Sequence, residues 1–187
     1  MNYSLFSTIN SWSGTRLLDT LMRFAARDLI FAVFAVFAAL VLFVYLRKGL
    51  APVAGSAVTL VLAFGFGLVA AALHLEKRPF QSHQVRLLIQ HAPGQSFPSD
   101  HATAAFAVAL ASLVFLSRPI GAALLSLAVL IGLARVYCGL HYPGDILGSL
   151  LVSALALPFG VAVRRRLSRR RRRTVRPVRR RGLVSSR

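Results

Sequence analysis

Acidic residues are scarce in this chain: Asp and Glu total five in 187 residues, against 23 Lys and Arg. Cysteine is scarcer still. The single Cys138 excludes an intrachain disulfide, so the sequence carries no report on redox compartment. Residues 1–27 lack the basic start, uninterrupted apolar run and small-residue cleavage site of a signal peptide. The formal net charge of +18 suggests nucleic acid at first sight, yet interleaved aromatics and any recognisable reading module are missing, and no nucleic-acid partner is expected. Thirteen of the basic residues crowd into 164–187. Charge placed in this way speaks of membrane orientation and of anionic lipid before it speaks of DNA.

What the chain has in excess is apolar sequence. Hydrophobic residues make up 56% and the mean hydropathy is +0.65. A globule of this size has too little interior to hide so much apolar surface, so the expected fold class is all-α: an integral membrane helical bundle of about five transmembrane helices preceded by an amphipathic N-terminal helix. The spans are expected near 29–46, 53–75, 99–116, 120–136 and 143–163, with a polar loop over 76–97 where Pro79, Pro93 and Gly94 interrupt any helix. The second span is rich in Gly and Ala, which permits close approach of backbones.

From Arg16 onward, Leu17, Leu18, Leu21, Met22 and Ala25 share one helical face and Arg16, Asp19, Thr20, Arg23 and Arg27 the other. That pattern suits a helix lying along the bilayer surface, and equally one packed on the rest of the protein. Three regions follow: an amphipathic interfacial segment at 1–27, a membrane domain at 28–163 and an Arg-rich disordered tail at 164–187. The positive-inside rule puts that tail in the cytoplasm, together with Arg47, Lys48 and Arg118. With five spans, the 76–97 loop and the 137–142 turn then face the outside.

Two polar clusters interrupt the apolar sequence: Phe97-Pro98-Ser99-Asp100-His101, and the run from Arg135 through His141 to Asp145. Ionisable groups bordering membrane-grade sequence mark a functional site. Arg78 and Arg135, with Lys77 beside the first, offer guanidinium forks that match phosphate oxygens. Ser99 stands where the third span begins, the place of an N-cap hydroxyl at the positive end of a helix. His141 and Asp145 are four residues apart, so a carboxylate can orient an imidazole for nucleophilic attack. A purely structural hydrogen bond or a metal site are the other readings of that pair; two histidines among several arginines would repel a divalent cation.

These residues resemble the three signatures of the type 2 phosphatidic acid phosphatase superfamily: Arg78-Pro79, then Pro98-Ser99-Asp100-His101, then Arg135 with His141 six residues on and Asp145 four further. The resemblance implies that His141 is the nucleophile that forms a phosphohistidine, Asp145 its orienting partner and His101 the acid for the leaving group. Arg78, Ser99 and Arg135 are implied as the phosphate clamp, with Lys77 as a weaker candidate. No metal or other cofactor is implied. Three positions depart from the pattern: Ala71 where a lysine is usual seven residues before Arg78, Ala134 in place of a serine, and Asp100 in place of a glycine.

Within the superfamily, Arg78-Pro79-Phe80, His91-Ala92 and Ser96 to His101 in a short five-span body are most similar to the bacitracin-resistance undecaprenyl pyrophosphate phosphatases. The substrate this implies is a polyprenyl diphosphate presented at the outer leaflet of the bacterial inner membrane. The same chemistry on phosphatidylglycerol phosphate, phosphatidic acid or a lipid A phosphate is the first alternative. A non-enzymatic membrane transporter or scaffold with this fold is the second. His74, His83 and His91 read as loop or helix-end residues, and the sequence does not specify oligomeric state.

Overall fold

The computed structural model describes residues 2–73 and 75–174, with side chains to Arg170. His74 and 175–187 lie outside the described residues. Helices succeed one another as α1 (Asn2–Ser11), α2 (Arg16–Arg27), α3 (Leu29–Lys48), α4 (Leu50–Ala72), the single turn α5 (Pro79–Ser82), α6 (Asp100–Ala111) running into a π-turn (Ser112–Leu116), α7 (Arg118–Tyr137) and α8 (Pro143–Thr174). Helices α3, α4, α7 and α8 are long and apolar enough to cross a bilayer, and Asp100–Leu116 is a shorter apolar helix. Its 17 residues reach about 26 Å at 1.5 Å per residue, a little under a hydrocarbon core of about 30 Å. The protein is a multi-pass membrane protein.

The short helix is the axis of the bundle. Ala102 to Ala109 are buried without interruption, so α6 is surrounded on every side. Its run of alanines lets neighbours approach closely, which is how helices gain packing in a lipid environment. Helix α3 touches the bundle along a narrow stripe, Ile30, Val33, Leu40 and Val44, while Phe31, Leu42, Phe43 and Leu46 stay exposed to lipid. Spacings of three, four and seven put that stripe on one face. Of the small residues expected to bring α4 close to a neighbour, Gly55 does so. A Cβ on Gly55 would stand 3.0 Å from the Gly160 carbonyl of α8, and one on Gly160 2.4 Å from the Gly55 carbonyl, whereas Gly65 faces open space.

A polar zipper joins α6 to α8 just below their active ends. Ser149 Oγ accepts from the Ser99 N–H at 3.1 Å and shares its single proton between the Ser99 carbonyl at 3.0 Å and the Asp145 carbonyl of its own helix at 2.8 Å. One turn further in, Ser153 Oγ shares its proton between the Thr103 carbonyl at 3.2 Å and the Ser149 carbonyl of its own helix at 2.8 Å. Both helices advance by four residues between the pairs, so the register is set twice.

One part of the expected organisation is corrected. The basic segment from 164 onward begins as helix: α8 continues through Arg164 to Thr174, because Arg and Leu are good helix formers and no Pro or Gly intervenes before Pro177. The amphipathic helix expected from Arg16 is α2, in the packed rather than the surface-lying arrangement, and α1 precedes it in the same packed body. In α1, Asn10 Nδ2 donates to the carbonyls of Arg86 (2.9 Å) and Tyr137 (2.8 Å), and its Oδ1 accepts from the Arg86 N–H at 3.0 Å. In α2, Asp19 accepts from the Tyr137 hydroxyl at 2.7 Å and from the Gly14 N–H at 3.1 Å, which holds its carboxyl below the usual carboxylate range. Buried apolar residues of both, Phe6, Ile9, Ala25 and Ala26, share a core with Val136, Tyr137 and Leu140.

Candidate active site

Arg78 reaches the site because the chain leaving α4 is tied to the chain entering α6. The Ser96 N–H donates to the Glu76 carbonyl at 2.9 Å, and Lys77 pairs with Gln95 in a lone antiparallel bridge. Neighbours in an extended segment point to opposite sides, so Lys77 is exposed while Arg78 is buried at 8% exposure. Lys77 is thus not among the buried residues of the cluster. Pro79, with no N–H to lose, opens α5 directly after Arg78.

The second cation comes from the last turn of α7. Arg135 is 4% exposed, and its Nη1 donates to the Ala26 carbonyl at the end of α2 at 3.3 Å. His141 lies in the turn between α7 and α8, and Asp145 in the first turn of α8. Both guanidinium groups converge on the imidazole: Arg78 Nη1 is 3.1 Å and Arg135 Nη2 3.3 Å from His141 Nε2. Guanidinium nitrogens only donate, so Nε2 is the accepting nitrogen and the ring proton sits on Nδ1. That proton goes to the Ser96 carbonyl at 2.9 Å, with Asp145 Oδ2 at 3.3 Å. Asp145 Oδ2 also accepts from the Tyr142 N–H at 2.8 Å and from the Ser96 hydroxyl. The result is a neutral imidazole with its lone pair turned toward two cations. Complete burial pushes the His141 pKa down to about 4, the neighbouring guanidinium charges adding to the effect, so the ring is unprotonated at neutral pH.

Burying two cations is costly unless something balances them. Among the described residues no carboxylate lies within ion-pair distance of either guanidinium; the ion pairs there are His141 with Asp145 and Arg27 with Asp28. Burial lowers the Arg78 pKa from its ordinary value, with Asp100 and Asp145 opposing. The Nε atoms of Arg78 and Arg135 and the Ser99 hydroxyl are buried with no hydrogen-bond partner. Ser99 occupies the N-cap of α6, yet its side chain makes no capping bond. Two cations directed at the lone pair of a histidine, with buried polar atoms left unpartnered on the same residues and on Ser99, suit an anion such as a phosphate.

His101 stands half-buried in the first turn of α6, two residues from Ser99, and the charges that act on it are those of Arg135, Asp100, His91 and Arg78. The structure thus gathers Arg78, Ser99, Arg135, His141 and Asp145 at one end of the bundle with His101 beside them, and leaves Lys77 out. His83 stacks on Tyr3 at 3.9 Å and His91 is exposed. Ser96 and Ser149 were not singled out from sequence. Ser149 had a signal, lying four residues after Asp145 on the same helical face. Ser96 had none of its own, because half of its role belongs to a backbone carbonyl.

Comparison with known proteins follows this geometry closely. The family model described as PAP2 superfamily matches residues 71–169, which contain every residue of the cluster. Undecaprenyl-diphosphatase BcrC of Bacillus subtilis (strain 168) is 38% identical over 163 residues, covering 83% of this chain and 80% of that protein. The protein YbjG of Escherichia coli (strain K12) is 36% identical over 157 residues, covering 83% of this chain and 78% of its own length. Among solved structures, Aquifex aeolicus LpxE superposes with a TM-score of 0.71 at 24% identity, covering 86% of this chain and 94% of that one, which speaks for the fold. A buried histidine between two arginines, tied to an aspartate four residues on and lying wholly within the matched segment, is where fold and sequence agree, and the chain belongs to the PAP2 superfamily.

Proposed function

We propose that this protein is a membrane lipid phosphatase that removes the terminal phosphate of undecaprenyl diphosphate. One observation carries the reading: Arg78 and Arg135, both buried, point their donors at the unprotonated Nε2 of His141. A diphosphate bound there lays the oxygens of its terminal phosphoryl group on the two guanidinium groups and the Ser99 hydroxyl. The Nε2 lone pair attacks phosphorus, a P–N bond forms, and the bond to the bridging oxygen breaks. His101 gives its proton to that oxygen. Water then cleaves the phosphohistidine to release inorganic phosphate. Asp145 and the Ser96 carbonyl stabilise the positive charge that His141 develops. The route needs no metal, since the charge on phosphorus is neutralised by the two guanidinium groups.

The choice of lipid is supported by the identity to BcrC over most of both chains. Orientation is supported by charge. Arg47, Lys48 and Arg118 lie at the end of the bundle opposite the site, together with Arg164 to Arg166 of α8. The positive-inside rule then places the C-terminus in the cytoplasm and the site at the outer face, with the basic tail against anionic headgroups.

The test is phosphate release from a panel: undecaprenyl diphosphate, phosphatidylglycerol phosphate, phosphatidic acid and lipid A phosphate. The expected result is at least a tenfold preference in kcat/KM for the polyprenyl diphosphate, no turnover by His141→Ala, and full activity in EDTA. Release from none of the four would refute an enzymatic role. A preference for another member would reassign the substrate, and loss in EDTA with recovery on adding a divalent ion would overturn the metal-free route.

A further inference from the structure

All five acidic residues of the sequence sit at one end of the bundle. Asp19 lies in the first turn of α2, Asp28 follows its last residue, Glu76 follows α4, Asp100 opens α6 and Asp145 lies in the first turn of α8. The opposite end carries only cations, from Arg47 and Lys48 at the α3–α4 corner, Arg118 at the start of α7 and the run beginning at Arg164. Among the described residues the acidic side chains lie at the other end, so the field here is positive and favours anions.

That end also contains a receptacle. A cavity of about 370 Å³ lies between the α3–α4 corner, the π-turn and α8, lined by Lys48, Pro52, Phe115, Arg164, Leu167 and Ser168 among others. Arg164 is held in place. Arg164 Nη1 donates to the Val114 carbonyl at 3.1 Å, and the guanidinium lies 5.9 Å from the centroid of the Phe115 ring, which leaves its other nitrogens for the cavity. The lining combines an ammonium, a guanidinium and a hydroxyl with a proline, an aromatic ring and a leucine. The first turn of α4 borders the same space behind Gly49, whose φ of 79° turns the chain and which has no side chain to cap that helix, so the positive helix end adds to the field.

The geometry points to a second phosphate site in this protein, distinct from the catalytic one: the cavity takes the headgroup phosphate of an anionic phospholipid of the bilayer leaflet opposite the active site. Paired cations with a hydroxyl suit a phosphodiester oxygen pair, and the apolar half of the lining suits the glycerol and the first methylenes of the acyl chains. The position at the ends of the spans, where headgroups lie, favours a lipid over a free phosphate. The site goes beyond the proposed lipid contact of the tail, because it is bounded by α3, α4 and the π-turn, and it does not depend on which lipid is hydrolysed.

Native mass spectrometry of the full chain in detergent, titrated with phosphatidylglycerol or phosphatidylcholine, tests it. Wild type is expected to retain one phosphatidylglycerol at least tenfold more tightly than phosphatidylcholine. Ser168→Glu, which puts a carboxylate into the cavity, and Lys48→Gln, which removes a cation, are each expected to lower that preference by tenfold or more, while phosphate release by the purified variants stays at the wild-type level and reports an intact fold. Inorganic phosphate at millimolar concentration is expected not to displace the lipid. No headgroup preference in wild type overturns the proposal. A preference unchanged in both variants overturns it in favour of diffuse attraction to the tail, and displacement by inorganic phosphate overturns the lipid assignment.

Discussion

Replacing Ser96 by Ala removes one hydroxyl donor from Asp145 and leaves the backbone carbonyl that holds His141 Nδ1 in place. A hydrogen bond to a charged group contributes about 1.5–3 kcal/mol. Asp145 Oδ2 keeps the Tyr142 N–H and the imidazole N–H, so the lower end of that range applies, about 1.5 kcal/mol. At 1.36 kcal/mol per decade this is about a tenfold loss in kcat/KM through a less firmly held imidazole. The same change has a second, independent sign. A carboxylate with one donor fewer attracts the imidazolium more strongly, so His141, at about 4 in the intact site, accepts a proton at higher pH. The acid limb of the kcat/KM profile, which reports the free enzyme, is expected to move up by about one pH unit. Phosphate release by purified protein, followed from pH 3 to 9 at limiting substrate, measures both effects. A variant with wild-type kcat/KM and an unmoved acid limb would refute the role given to the Ser96 hydroxyl. A lower rate with an unmoved limb would show that the hydroxyl supports the fold and not the charge on the imidazole.

Arg78→Gln is expected to lower kcat/KM by about 10²–10³-fold, the range for loss of one oxyanion donor, while leaving Tm unchanged or raised because a buried cation without a carboxylate partner has been removed; a large fall in Tm would show a structural role instead. Lys77→Gln, one residue earlier and exposed, is expected to stay within about twofold of wild type, and a loss comparable to that of Arg78→Gln would place Lys77 in the clamp after all. Ser149→Ala breaks the bridge from α8 to Ser99 and is expected to reduce stability by about 1–2 kcal/mol, read as a Tm lower by about 2–6 °C, with any rate loss smaller than for Ser96→Ala. His141 is held neutral in the folded protein, with a pKa lowered to about 4 from an ordinary 6.5. The unfolded chain therefore binds the extra proton between those values, and stability is expected to fall as pH drops from about 6.5 to about 4, by up to about 3 kcal/mol. His141→Gln flattens that part of the pH–stability curve; an unchanged slope in the variant would assign it to another group.

The apolar runs at 29–46 and 143–163 announce helices long enough to cross a bilayer, because a membrane leaves backbone polar groups no other partner than their own helix. The paired motifs around His101 and His141 announce the chemistry for a similar reason: ionisable side chains bordering such sequence persist only where they act. Arg78, Ser99, Arg135, His141 and Asp145 were therefore legible as types at spacings. Lys77 was the weaker candidate beside Arg78, and the extended bridge to Gln95, which turns neighbouring side chains to opposite sides, sets the two apart. Helix α1 carries no strong apolar periodicity, and its place is decided by Asn2 and Asn10 bonding to loop and helix-end groups far along the chain.

The sequence by itself determined that this is a membrane-spanning helical protein with two histidine-bearing motifs, since hydropathy and motif spacing are local properties that a single strand of text records. The tertiary structure alone decided which nitrogen of His141 carries the lone pair and which the proton. That follows from two guanidinium groups on one side and the Ser96 carbonyl with Asp145 on the other, brought from four separate segments. Tautomer and direction of attack are set by the field of neighbours in space, and no order of residues along the chain encodes them until the helices pack.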